Sequence, residues 1–140
     1  MRCKLPRHTE TVLNDWVDYN GHMNVAYYVL IFDHATDVLL DYVGLNAQHR
    51  NKASESVFVV ESHIIYKQEV LEGANIEVEI IVVDVDDKRL QVFMTMREAE
   101  TAVTAATIEI MLLHVDLNTR KSSPFPTQIN LELSQLKVKH

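Results

Sequence analysis

Apolar residues between Asn24 and Val43 recur at intervals of three and four: Tyr27, Leu30, Ile31, Ala35, Val38, Leu39 and Tyr42. That spacing predicts one long helix with a single buried face. Asn24 is suited to cap its start, because the side-chain oxygen can accept a first-turn N–H. Gly44 stands where a left-handed C-terminal cap is expected. About twenty residues of helix rise about 30 Å, a large element for a chain of this size.

Strand-like runs surround the helix. One covers Thr9 to Val17; four more follow at Ser56 to Tyr66, Asn75 to Val85, Arg89 to Arg97 and Ala102 to Val115. Ile76-Glu77-Val78-Glu79-Ile80 alternates as a strand with one wet face should. Gly73 and Asp86-Asp87 are natural turns. The order of one strand, one helix and a four-stranded meander predicts an α+β fold. An antiparallel β-sheet would wrap around one long central α-helix, in a single domain over residues 1–140. Residues 127–140, after Pro124 and Pro126, read equally as a short strand, a helix or a partly ordered tail.

Composition narrows the function classes. Thirteen Lys and Arg face twenty Asp and Glu, a formal charge of −7, the wrong sign for general nucleic-acid binding. Cys3 is alone, so neither an internal disulfide nor a cysteine zinc site is expected. No apolar stretch approaches the roughly 18 residues that would span a membrane. The basic start of the chain lacks the apolar core of a signal peptide. A cytoplasmic protein is expected. The seven histidines show no metal-ligand spacing along the chain, so neither a metal nor an organic cofactor is expected.

Asp18, Asn20, His22 and Asn24 alternate where a strand meets the helix. Backbone N–H groups at a helix start are unpaired and, with the helix dipole, attract negative charge. A carboxylate beside them has what hydrolysis of an activated acyl group needs: a base or nucleophile, and donors for the oxyanion. Residues of this type also crowd into turns and caps for local reasons. The residues alone therefore point to an anion site with a nearby base.

The run Asp15-Trp16-Val17-Asp18-Tyr19-Asn20-Gly21-His22-Met23-Asn24, with Ala26-Tyr27-Tyr28 and Phe32-Asp33-His34-Ala35-Thr36-Asp37, resembles the hotdog-fold acyl-CoA thioesterases of the 4-hydroxybenzoyl-CoA type. The similarity continues through Glu61-Ser62-His63-Ile64-Ile65-Tyr66 and Met111-Leu112-Leu113-His114-Val115-Asp116. Within that group it is nearest to the betainyl-CoA thioesterases of carnitine catabolism. The resemblance implies that Asp18 is the nucleophile or general base, with His22 and Asn20 as catalytic neighbours. The Val25 N–H would be the oxyanion donor, and Asn24 and Tyr27 would contact an acyl-CoA. It also implies a homodimer or homotetramer with the site built between subunits.

Trp16, Tyr19, Tyr27 and Tyr28 would suit a quaternary ammonium acyl group, and would equally serve as core. Glu61 and His63 share a strand face, as a second acid–base pair at a subunit cleft or as a wet edge. His114 and Asp116 read as structural. Lys88 and Arg89 are possible receivers of CoA phosphates, or simply turn residues. Asp33, Asp37 and Asp41 form a stripe that is either solvated or paired across subunits. Two other readings stay open: a non-catalytic acyl-CoA binding module, and a thioesterase for another short-chain or aromatic acyl-CoA. A hotdog dehydratase is disfavoured, since its His-Phe-Pro-Gly type motif is missing.

Overall fold

The computed structural model describes residues 5–138; Cys3 and the last two residues of the tail lie outside them. In chain order the elements are β1 (His8–Thr11), a 3₁₀ turn (Asn14–Trp16), α1 (Val25–Tyr42), α2 (Ala47–Ala53), β2 (Glu55–Tyr66), β3 (Asn75–Val85), β4 (Arg89–Glu98), β5 (Thr104–Asp116), β6 (Lys121–Ser122) and α3 (Thr127–Leu136). The sheet is antiparallel, in the order β1-β3-β4-β5-β2, with β6 paired to β5. The long helix lies against the sheet's inner face, as the α+β hotdog reading expects.

The expected helix forms with both caps. Asn24 Oδ1 accepts the Ala26 N–H. At the other end Gly44, at φ +97°, sends its N–H to Asp41 O while Leu45 N–H reaches Leu40 O at 2.8 Å. These two bonds make a Schellman closure that seats Leu45 in the core. The buried face is turned relative to expectation. Tyr28, Phe32, Thr36 and Leu40 join Ile31, Ala35 and Leu39 in the core, while Tyr42 is exposed. Thr36 fits there because its hydroxyl donates to Phe32 O at 2.9 Å, which satisfies the polar group inside the helix.

The sheet departs from expectation in two places. The first strand stops at Thr11 rather than Val17, because Asn14–Trp16 coil into a 3₁₀ turn that drives Trp16 into the core. The four-stranded meander is in fact a three-stranded one, β3-β4-β5. β2 pairs with β5 through an eleven-pair ladder, and β1 takes the free edge of β3. Core residues alternate along β3 and β4: Val78, Ile80 and Val82, then Leu90, Val92, Met94 and Met96. Register shifts at Val59/Glu61 and Val82/Asp84 add the local twist that bends strands around a helix.

Helix α2 was not anticipated. The final stretch resolves to helix α3, whose Ile129 and Leu133 are buried and which packs on β3. Among the described residues no helix is long and apolar enough to cross a membrane.

Candidate active site

The turn from Val17 to Met23 is tied by its own backbone. Val17 and Met23 form an antiparallel bridge, Asp18 N–H donates to His22 O at 3.0 Å, and Gly21 N–H donates to Asp18 O at 2.9 Å. Gly21 has φ +82°, a conformation that strains any residue with a Cβ. Asp18 Oδ1 accepts the Asn20 N–H at 2.9 Å. Its Oδ2 has no partner among the described residues, and the side chain is exposed. The carboxylate is held by one oxygen and free at the other.

The helix start follows at once. Asn24 N–H donates to Trp16 O at 2.8 Å, and the Trp16 ring stacks on Tyr27 at 5.4 Å and 14°. The Asn24 side chain and carbonyl take the N–H groups of Ala26 and Tyr27. The Val25 N–H is left without an acceptor among the described residues. It is a free donor at the positive end of an 18-residue helix.

Residues 67–71, between β2 and β3, close the other side. Met23 N–H donates to Val70 O at 2.7 Å, His22 bridges to Leu71 through the backbone, and His22 Nε2 lies 3.0 Å from Glu69 Oε2. The Tyr28 hydroxyl donates to Gln68 O at 3.0 Å, and its ring meets Tyr66 edge-on at 5.1 Å. Burial pushes the Tyr28 phenol up, so it stays a neutral donor at pH 7. His22, Val25, Tyr28, Tyr66, Lys67 and Glu69 line one cleft at the start of α1. The Asp18 turn adjoins it through the Asp18–His22 backbone bond.

The expected residues thus divide. His22 and Val25 line the cleft, and Asp18 stands on the adjoining turn, joined to His22 through the backbone. Asn24 is a cap with its side-chain oxygen engaged, and Asn20 is a turn residue whose N–H orders Asp18. The aromatics do not form one box: Trp16 and Tyr27 stack together, Tyr28 pairs with Tyr66, and Tyr19 is 97% exposed.

Glu61 and His63 lie opposite Met111 and Glu109 on β5, whereas Ile108, Ile110 and Leu112 face the core. Both are therefore exposed on the sheet face away from α1, and one chain does not bring them to Asp18. His114 is fully buried, with Nδ1 2.9 Å from Ser123 O. Its Nε2 is 3.4 Å from Glu55 Oε2, an ion-pair approach that falls short of hydrogen-bond geometry. Asp116 Oδ1 accepts the N–H groups of Asn118 and Thr119, a turn cap.

Lys88 and Arg89 give their backbone N–H groups to Asp86 Oδ1, which holds the Asp86 carboxyl below its usual range. They sit at the far end of β3, whose eleven residues span about 36 Å. Within one chain that end is remote from the helix start. Asp33, Asp37 and Asp41 are exposed, and Arg50 of α2 is a same-chain cation acting on Asp37.

Glu69 and Lys67 escaped the sequence reading, and Tyr66 entered it only within the strand that carries the resemblance. They are over forty residues from Asp18 in the chain, and only the β2–β3 connection brings them back to it.

Comparison with known proteins bears on the fold and the activity of the chain. The thioesterase-like superfamily profile matches residues 12–133. A betainyl-CoA thioesterase of Pseudomonas aeruginosa is 38% identical over 129 residues, covering 92% of this chain and 81% of that one. An L-carnitine dehydrogenase/betainyl-CoA thioesterase of Agrobacterium fabrum is 40% identical, over 92% of this chain but 26% of its own length. A Staphylococcus aureus protein solved in complex with CoA superposes with a TM-score of 0.92 at 29% identity, covering 100% of this chain and 90% of that one.

Proposed function

The chain belongs to the thioesterase-like superfamily and is an acyl-CoA thioesterase; we propose that its acyl group is small, with betainyl-CoA the leading substrate, and that Asp18 carries the chemistry. The observation behind this reading is the half-free Asp18 carboxylate on the turn that leads into α1, whose first N–H, that of Val25, has no acceptor among the described residues.

The thioester carbonyl oxygen sits at the Val25 N–H. As general base, Asp18 Oδ2 removes a proton from water as the water oxygen attacks the carbonyl carbon. The oxyanion is stabilised at the helix start, and collapse breaks the C–S bond and releases CoA thiolate and the acid. As nucleophile, the same oxygen attacks directly, CoA leaves, and water hydrolyses the mixed anhydride. In this reading His22, paired with Glu69, is the proton relay. The cleft's carboxylate and the Tyr28–Tyr66 pair favour a cationic acyl group.

We further propose that the working unit is at least a dimer. β2 is an edge strand of twelve residues, and Phe58, Val59, Val60, Ile65 and Tyr66 are exposed along it, with Val25 and Val29 on α1. A long apolar edge of this kind invites pairing with a second copy. Such pairing would cover the Tyr66 side of the cleft.

A panel of acyl-CoAs followed by thiol release tests the function. Betainyl-CoA should be cleaved fastest among short and long acyl groups. Faster release from long-chain substrates would overturn the acyl assignment, and tight binding with no release from any substrate would favour the non-catalytic module.

A further inference from the structure

We propose that His8, Glu10 and His34 form a binding site for a divalent transition-metal cation of the zinc type. His8 and Glu10 are two apart on β1 and so share a face; His34 comes from the middle of α1, beneath that strand. Glu10 stands between the two imidazoles. Its Oε2 is 2.7 Å from His8 Nε2, and its Oε1 and Oε2 are 2.9 and 3.0 Å from His34 Nδ1. One ligand atom from each residue lies within 4.8 Å of the other two. Histidine spacing along the chain does not show this cluster, because a strand and a helix supply it jointly.

The donor set selects the ion. Two imidazoles and one carboxylate suit zinc and its first-row neighbours, while magnesium and calcium prefer all-oxygen sites. Metal–ligand bonds of about 2.0–2.2 Å set neighbouring ligands about 3.3 Å apart. The His8–Glu10 contact would therefore lengthen by about half an ångström and the His34–Glu10 contact by less. His8 and Glu10 side chains are 18% and 16% exposed, whereas His34 is 38% exposed and opens a path for the ion. Three protein ligands leave a fourth position for water. On binding, both ligating nitrogens present lone pairs, and any protons on them are released to solvent. The site lies at the β1 edge, at the opposite end of the sheet order from β2. Its ion would clip a four-residue strand to the central helix, outside the thioester cleft.

The test uses the full chain freed of metal by chelator dialysis and titrated with zinc chloride against a chromophoric chelator. The expected result is one zinc per chain, with no competition from magnesium. Loss of outer-shell partners alone costs about 10–100-fold in metal affinity, so Glu10→Gln and His34→Ala should each weaken binding by at least about tenfold. Circular dichroism would establish that the variants fold. In the wild-type chain, which avoids that question, zinc should shift the imidazole nitrogen resonances of His8 and His34 and no others. Absence of zinc binding, equal binding by wild type and His34→Ala, or shifts at other histidines would each overturn the proposal.

Discussion

His22 Nε2 stands 3.0 Å from Glu69 Oε2, tying the turn that carries Asp18 to the segment between β2 and β3. Both side chains are about half exposed, so the pair itself contributes at most about 1 kcal/mol to stability. Its larger consequence is a carboxylate at the cleft beside Tyr28 and Tyr66. Glu69→Gln keeps the shape and removes the charge. It should raise KM for betainyl-CoA about three- to tenfold, the effect of roughly 1 kcal/mol, yet leave 3,3-dimethylbutyryl-CoA, its uncharged isostere, nearly unchanged. Equal effects on both substrates would remove Glu69 from substrate selection.

Lys67 lines the same cleft, where a cation attracts the polyanionic CoA as it enters. Lys67→Ala should raise KM for every acyl-CoA with little change in kcat, the pattern of lost uniform binding. The difference should shrink as salt is added.

The β2 edge carries the assembly prediction. Val60 is exposed at the β2 bulge, and a lysine there is a common device against edge pairing. Val60→Lys should sediment as a folded monomer and lose most turnover. A wild-type chain that sediments as a monomer at full activity would contradict the shared-site reading.

Asp37 is held above the usual carboxylate range, first by partial desolvation and then by Asp33, with Asp41 adding and Arg50 opposing. The native state therefore binds this proton more readily than the unfolded chain does. Ionised Asp37 costs stability at neutral pH, and the cost fades as pH falls through the raised value. Asp37→Asn should stabilise the protein by a few tenths of a kcal/mol at pH 7. Melting curves of the two proteins should converge in acid.

The helix, its two caps and β2 to β5 were legible because each follows a local rule: period, cap residue or turn residue. The turn that carries Asp18 was legible for the same reason, as seven consecutive residues form it. What escaped was non-local. The pairing of β2 with β5 depends on which edge each strand finds free, which the alternation of Ile76 to Ile80 does not record. Thr36 falls outside the apolar pattern, yet the core admits it because its hydroxyl donates to Phe32 O. Glu69 reaches the cleft only through the path of the chain after Tyr66. The Trp16 turn overrode a strand-like pattern because burying its ring against Tyr27 outweighed extension.

Asp18 is the residue on which the account turns. Asp18→Asn can still accept the Asn20 N–H, so the turn should persist while the base is lost. Removing a positioned base costs about 10²–10⁴ in rate. A turn-only role predicts the reverse, a lower melting temperature with normal turnover per folded molecule. His22→Ala is the companion variant, separating relay from positioning by the size of its kcat loss. The decisive measurement is kcat of folded Asp18→Asn with betainyl-CoA, by thiol release. The account predicts a fall of about 10²–10⁴ with KM little changed, and a kcat near wild type would contradict it.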